Sequence, residues 1–471
     1  MKSPLFQNNT HNRSLVLAGG GVRLAYHAGV IKALEEEKIS FNHVDGTSGG
    51  IFNTAMLASG QNPDEIMSRW RKLNVFNFMS PTPLFNYLKL GRINAFGDAD
   101  GIREKVFPTL GIDLAKINQN NRFKATFNVC NFSTKEIESI ADSQVSEDHL
   151  VAGMSLPIFM PSIKIGEDWY TDAVWVKDAN LMEAVKRGAQ EIYLVYCIGN
   201  SRDYFEGSFL QYVHMIEMSA AGGLLAEFDW LQQINNQIVV GKSPYGQKDP
   251  IKLQVIKPTY PLPLDPDLFF GNIDIRALIN MGYADTKSSL QAIPQNGISL
   301  DYKAAQMNEP GISFQFMAKF EGGAYLRKSV EKVNVYLLFD FRKIAENQMI
   351  TNFFGSIKLQ NHDHEIILFD TKVQLLSENG KKRIVIEGKL IIADKLQELH
   401  GEIELKTKID FRLGLEFKTM QIQMDGGEKT ILTQKVSGRL KSILKSKIYQ
   451  NASYFRKQKS KSQILDWIYA N

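Results

Sequence analysis

A serine stands among glycines in Gly46-Thr47-Ser48-Gly49-Gly50, and a second glycine run, Gly19-Gly20-Gly21, lies upstream of it. A serine hydroxyl is a weak nucleophile unless it is exposed, beside a base and near hydrogen-bond donors for an oxyanion. A G-x-S-x-G pentapeptide meets the first need when it makes a sharp strand-to-helix turn. The backbone of such a turn is strained and accepts only small neighbours. The pentapeptide alone is a common turn composition, so its flanks carry the weight. "HVDGTS" reads as a short apolar strand running into a tight turn, and "GGIFNTAMLASG" as a helix that stops at Gly60.

The upstream glycines separate the buried strand "SLVLA" (14–18) from the amphipathic helix "LAYHAGVIKALEEEK" (24–38). Backbone N–H groups left over at such a helix start point at one spot, where the helix dipole also favours negative charge. Two uses compete. A nucleotide phosphate cradle of the G-x-G-x-x-G kind needs glycine at Leu24 and an acidic residue ending a clear second strand about twenty positions on, and finds neither. The Walker lysine is missing as well. The other use is an oxyanion hole for an acyl intermediate, and the serine turn downstream fits it.

These sites must be held by a framework. Strand–helix–strand–helix over 14–57 is the grammar of a parallel α/β sheet. Asn62-Pro63 starts another helix. Residues 74–97 form a partly apolar insertion, and "FKATFNVCNF" with "KEIESIAD" reads as a hairpin. Helices are expected near 181–188, over 205–240 and over 273–293, with strands in "EIYLVYCI" and "IKLQVIKP". From about residue 311 the text turns to period-two runs with polar turns, including Asn379-Gly380, which predicts an antiparallel β-sandwich or barrel. Between 429 and 461 there are ten Lys and Arg and no Asp or Glu. Ile431, Val436, Leu440, Ile443, Leu444 and Ile448 can share one helical face. This predicts a basic amphipathic helix, either against an anionic membrane surface or docked on the β domain.

"GGGVRLAYHAGVIKALEE", "DGTSGG", "SLPIFMPS" and "YTDAVWVKDANLMEAVKRGAQEIYLV", in that order and spacing, closely resemble the patatin-like phospholipase family over roughly residues 14–292. The resemblance implies a three-layer α/β sandwich with a mainly parallel central sheet and a lipid acyl hydrolase working through a Ser-Asp dyad. It implies Ser48 as nucleophile, Asp172 as its acid partner, and the amides of Gly20, Gly21 and Val22 as the oxyanion hole. Arg23 is then the basic residue beside that hole, with Gly19, Gly46, Gly49 and Gly50 in support. The family usually has glycine where this chain has Leu24 and Ala173. A side chain at a site needing positive φ costs on the order of 1 kcal/mol. The alternative is therefore a catalytically weak or inactive lipid-binding protein of patatin fold, and acyl transfer to a non-water acceptor is a third use of the same dyad. The chemistry requires no metal or cofactor.

A dyad agrees with the histidines. His11, His27, His43, His149, His214, His362, His364 and His400 occupy no recognisable catalytic frame, so each reads as a surface or satisfied histidine. His362 and His364 have the spacing of a metal pair but read as a polar turn. Cys130 and Cys197 lie in apolar runs as buried thiols, too few for a disulfide framework.

Three segments are expected: an acyl hydrolase domain over 1–300, a β-rich accessory domain over 301–428, and a basic tail over 429–471. A net charge of +4, from 55 basic and 51 acidic residues, excludes a general polyanion binder such as a nucleic-acid protein. The expected partner is a membrane glycerolipid substrate, with peripheral membrane contact through the tail. "MKSPLFQNNTHNRS" lacks the apolar centre of a signal peptide, and no run nears the roughly 18 apolar residues of a membrane span. The expected location is cytoplasmic or peripheral to a membrane, with export by a signal-less route left open.

Overall fold

The computed structural model describes residues 4–6, 12–78, 80–81, 97–199, 207–262, 274–292, 294, 297–308, 312–326, 329–345, 348–360, 362, 364–378, 381–405, 417–424, 428–433 and 447–450. The chain divides into two compact units. The first comprises 1–200, 206–269 and 289–307; the second comprises 201–205, 270–288 and 308–471.

The first unit is α/β. Strands β1 (Arg13–Leu17) and β2 (His43–Thr47) flank helix α1 (Ala25–Glu36), and helix α2 (Gly50–Ala58) follows β2 directly. Helix α3 (Pro63–Lys72) begins with a reciprocal cap: Asn62 Oδ1 accepts from the Glu65 amide while Glu65 Oε2 accepts from the Asn62 amide. Then come β3 (Lys124–Asn131), β4 (Glu136–Ala141), helix α4 (Glu147–Ala152), β5 (Ile163–Ile165), β6 (Asp168–Asp172), helix α5 (Leu181–Lys186), β7 (Glu191–Val195), the long helix α6 (Ser208–Val239) and β8 (Lys252–Ile256). The sheet order is β8-β7-β1-β2-β3-β6-β5, with β4 also on β3. The β8-β7-β1-β2-β3 part is parallel; β4, β5 and β6 join antiparallel. Val16, Ile192, Leu194 and Leu253 are almost fully buried in one core with Leu231 and Phe228 of α6. Strands covered by helices read as near-continuous apolar text for this reason.

The 123–132 and 135–142 runs do pair as an antiparallel hairpin. One feature of β3 decides where the site forms. The antiparallel β4 takes one edge of β3, while β2 and β6 share the other: β2 pairs along 124–128 and β6 along 129–131. Because β2 runs parallel to β3 and β6 antiparallel, their C-terminal ends meet at the Asn128–Val129 step.

The second unit is an antiparallel sheet of β9 (Ile312–Leu326), β10 (Ser329–Ala345), β11 (Gln348–Leu359), β12 (Ile366–Ile367), β13 (Phe369–Glu378), β14 (Lys381–Ile392), β15 (Lys395–Leu405), β16 (Phe417–Met424), β17 (Thr430–Thr433) and β18 (Lys447–Gln450). Its order is β12-β11-β10-β9-β17-β16-β15-β14-β13, with β18 also on β9. The two ends are consecutive in sequence, and Leu368 between them donates its amide to Gly355 O at 2.9 Å. The sheet therefore curls nearly into a barrel. Val333, Val335, Leu337, Phe339 and Phe341 of β10 all face its apolar core, the period of two that the sequence shows. Asn379 and Gly380 lie outside the described residues, but β13 and β14 pair from Glu378–Lys381 outward, as a two-residue turn requires.

Two expectations change here. Within the tail, the described residues Thr430–Thr433 and Lys447–Gln450 are strands of this sheet, not a helix, so Ile431 and Ile448 serve a β ladder. Val436, Leu440, Ile443 and Leu444 lie outside the described residues. The segment boundaries also differ. The helix α7 (Ile275–Gln291), expected to close the first unit, has residues through 288 in the second, where Arg276 Nε meets Glu365 Oε2 at 2.8 Å and Tyr283 stacks edge-on against Phe369. Residues 301–307 belong to the first unit, with Ala305 and Met307 in its core. Among the described residues, no helix is long and apolar enough to cross a membrane.

Candidate functional site

Thr47, the last residue of β2, lies opposite Asn128, and Asp172, the last residue of β6, lies opposite Val129. Ser48 and Asp172 are thus brought together by two strand ends that abut along one edge. Ser48 Oγ donates a hydrogen bond to Asp172 Oδ2 at 2.6 Å. Ser48 has φ +52°, a left-handed conformation that costs a non-glycine residue on the order of 1 kcal/mol or more. Ser48 is 5% exposed and Asp172 is wholly buried.

The turn needs close approach on its helix side. A Cβ on Gly50 would sit 2.1 Å from Leu17 O and 2.9 Å from Ala18 O, so the start of α2 lies directly against the end of β1. Backbone on both sides leaves nothing to give way. Gly50→Ala is therefore expected to destabilise the first unit by about 3 kcal/mol, read as a lowered midpoint of chemical unfolding. Gly46 is the fourth residue of β2, facing Thr54 of α2, and Gly49 packs against Leu24 and Gly21 O.

The glycine loop leaves β1 beside this turn. Gly20 (φ +152°) and Gly21 (φ +64°) carry the chain into a 3-10 turn, Gly21–Leu24, that runs into α1. Val22 is buried there, and Arg23 Nε donates to Gly20 O at 2.9 Å, closing the loop on itself. A Cβ on Gly19 would lie 2.9 Å from Ser48 Cβ, which is how closely loop and serine approach. Leu24 has φ −75° and is fully buried against the loop and Gly49, and Ala173 is not among the positive-φ residues. The strain feared at these two departures is absent.

Burial pushes the Asp172 carboxyl up to about 7; the hydrogen bonds from Ser48 and from the Val174 amide, 2.9 Å from Oδ1, pull the other way. A carboxyl titrating near neutrality can hold or release a proton at little cost, which suits a general base. An aromatic group stands beside it. Trp175 and Phe159 each pack edge-on against Tyr212, and burial raises the Tyr212 hydroxyl, with the Asp172 charge adding to that rise.

Beneath the turn lies a polar network that the sequence reading missed. Asp45 Oδ2 accepts from Thr126 Oγ1 and Oδ1 from Asn128 Nδ2, both at 2.6 Å, and Asn128 Nδ2 also reaches Thr47 Oγ1 at 2.9 Å. Alternation along β2 is the signal that could have found it: His43, Asp45 and Thr47 share one face. His43 is satisfied by Ser14 and Thr126, whereas neither ring nitrogen of the buried His27 has a partner among the described residues. Both cysteines are buried, and no disulfide joins them. Of the 74–97 insertion, residues 79 and 82–96 lie outside the described residues, while Phe78 is buried against Phe52. No group of three or more His, Cys, Asp or Glu is placed to hold a metal among the described residues.

The family model of patatin-like phospholipases matches residues 15–185, which span the glycine loop, the serine turn and the Asp172 strand. These residues form a patatin-like phospholipase domain. Over 66 residues the chain is 44% identical to the patatin-like phospholipase domain-containing protein ZK370.4 of Caenorhabditis elegans, covering 14% of this chain and 5% of that protein. Over 183 residues it is 30% identical to lysophospholipase NTE1 of Debaryomyces hansenii, covering 38% of this chain and 11% of that protein. The chain thus spans a small fraction of the length of these relatives. Among solved structures it matches VipD from Legionella pneumophila at 13% identity and a TM-score of 0.33, over 60% of this chain and 67% of that one. The patatin-like match ends inside α5; α6, β8 and the whole second unit lie beyond it.

Proposed function

We propose that the chain is a lipid acyl hydrolase, a phospholipase A or esterase that cleaves carboxyl esters of membrane glycerolipids through Ser48 and Asp172. The observation that carries this is the 2.6 Å hydrogen bond from Ser48 Oγ to Asp172 Oδ2 at a left-handed strand-to-helix turn. The match to patatin-like phospholipases and the likeness to a lysophospholipase support the substrate class.

In this reading the Asp172 carboxylate takes the Ser48 proton as Oγ attacks the ester carbonyl carbon. The amides of Gly20, Gly21 and Val22 stabilise the tetrahedral oxyanion, and Arg23 braces their loop through Gly20 O. Collapse of the intermediate expels the alcohol, which carries away the proton held by Asp172. Water then gives a proton to Asp172 and attacks the acyl-serine carbonyl, releasing the fatty acid and restoring Ser48 Oγ–H. Gly19, Gly46, Gly49 and Gly50 allow the close approach of loop, turn and strand. The basic residues of 429–461 are a candidate contact with anionic lipid.

Only ionised Asp172 can accept the proton. With its carboxyl held near 7, kcat/KM is expected to fall about tenfold per pH unit below neutrality and to level off above it. Fatty-acid release from phosphatidylcholine and lysophosphatidylcholine vesicles, followed from pH 5 to 8, checks the profile. A protein that releases no fatty acid and is not labelled by a fluorophosphonate would leave the proposal without support.

A further inference from the structure

We infer that Asp178 is a positioning residue for the glycine loop: its carboxyl holds the Gly19 amide and so fixes the loop against Ser48. The Gly19 N–H donates to Asp178 Oδ1 at 2.9 Å across 159 positions of sequence. Asp178 is wholly buried. A Cβ on Gly19 would fall 2.1 Å from that same oxygen and 2.9 Å from Ser48 Cβ, so carboxyl, loop and serine meet within the thickness of one glycine.

Asp178 lies on the segment that also delivers Asp172, and that segment is stiff. Val174 donates its amide to Asp172 Oδ1 at 2.9 Å, and the Val176 and Lys177 amides both donate to Ala173 O, at 2.9 and 2.8 Å. Helix α6 clamps it from outside: Ser219 Oγ donates to Trp175 O at 2.6 Å, and Lys177 Nζ pairs with Glu227 Oε1 at 2.6 Å. Glu227 Oε2 in turn accepts from the Met182 amide at 2.7 Å. One bracket therefore sets Asp172 on Ser48 and Asp178 on Gly19, which ties the base and the oxyanion loop to a common frame.

The second oxygen, Asp178 Oδ2, is buried with no hydrogen-bond partner among the described residues. Burial, and then the charge of Asp172, raise this carboxyl to about 8, against a smaller lowering by the Gly19 amide and Arg23. Burial thus disfavours a charge on Asp178, and toward the loop it acts as a hydrogen-bond acceptor for the Gly19 amide. A second buried carboxylate there would oppose a developing oxyanion. Asparagine keeps the acceptor and removes only the titration.

The kinetic part of this inference rests on the Ser48–Asp172 reading; the structural part does not. The test compares Asp178→Ala and Asp178→Asn with wild type in the full chain, by lysophospholipid hydrolysis and by hydrogen exchange of peptides covering 15–24. Asp178→Ala is expected to lower kcat roughly 10- to 100-fold with KM within about threefold, and to speed exchange at Gly19 at least about tenfold while β1 stays protected. Asp178→Asn is expected to keep both within about threefold of wild type at pH 7. Unchanged exchange and kcat in Asp178→Ala overturn the inference, as does an equal loss of kcat in both variants. If Asp178→Ala does not fold, wild type decides alone: slow Gly19 exchange comparable to β1 supports the inference, and exchange at open-loop rates overturns it. A wild type without hydrolase activity sinks the dyad proposal while the exchange result still judges Asp178.

Discussion

Ser48→Ala is expected to lower kcat/KM for fatty-acid release by about 10^4-fold or more and to abolish labelling by a fluorophosphonate. The size follows from what the hydroxyl does. Without Oγ no acyl-enzyme forms, and the remaining groups can only polarise an ester toward water. The variant should stay folded, since Ser48 contributes one hydrogen bond and a side chain at a strained backbone position. Ser48→Gly separates these effects. It loses the same activity, yet glycine adopts φ near +52° without a Cβ penalty, so it should unfold at higher denaturant than Ser48→Ala by about 1 kcal/mol. Labelling and urea unfolding of wild type and the two variants check all three statements. Residual turnover in Ser48→Ala above a few per cent of wild type would move the nucleophile elsewhere.

The two glycine runs and the serine between glycines could be read from the text of the chain with their flanking strands and helices, whereas Asp172 came only with the resemblance to the patatin-like family. Gly50 lies under the carbonyls of Leu17 and Ala18, a constraint that writes itself directly into the sequence as a residue without a Cβ. The strand–helix alternation around the two glycine runs likewise follows from burial on both faces of a parallel sheet. What could not be read is how Ser48 and Asp172 come to meet. That depends on β2 and β6 sharing one edge of β3, and pairing partners leave no local trace in a single sequence. Asp178 escaped for a related reason: its partner is a backbone amide, which has no letter of its own. In the tail, ten cations without an acid and a shared apolar face suggest an amphipathic helix, whereas the described Thr430–Thr433 and Lys447–Gln450 are strands of a β ladder. Apolar residues in runs that short do not distinguish a period of 2 from one of 3.6.

The base partner gives the second large effect, and it acts in two directions. Asp172→Asn is expected to reduce kcat/KM by about 10^3- to 10^4-fold at pH 8, because an amide cannot accept the Ser48 proton. The same variant should be more stable than wild type at that pH. Burial raises the carboxyl from 3.8 in the open chain to about 7 in the fold, so between those values the folded state binds one more proton than the unfolded state. Its contribution is fully present below about pH 4 and is lost as pH climbs through 7, a swing of at most about 4 kcal/mol at 1.36 kcal/mol per unit. Asparagine does not titrate, can still accept from the Val174 amide, and can donate to Ser48 Oγ. Asp45 and Asp178, held near 7 and 8 by burial, add losses of the same sign in wild type. Unfolding followed by tryptophan fluorescence reports chiefly on the right unit, since four of the chain's five tryptophans, Trp70, Trp169, Trp175 and Trp230, lie in the first. Wild type should weaken from pH 5 to pH 8, and Asp172→Asn should weaken less. Parallel pH dependence in the two proteins would mean that Asp172 is already ionised at pH 5, in which case it could not set the neutral limb of the rate profile either. A site that needs a buried, half-protonated acid is thus least stable in the pH range where that acid can do its work.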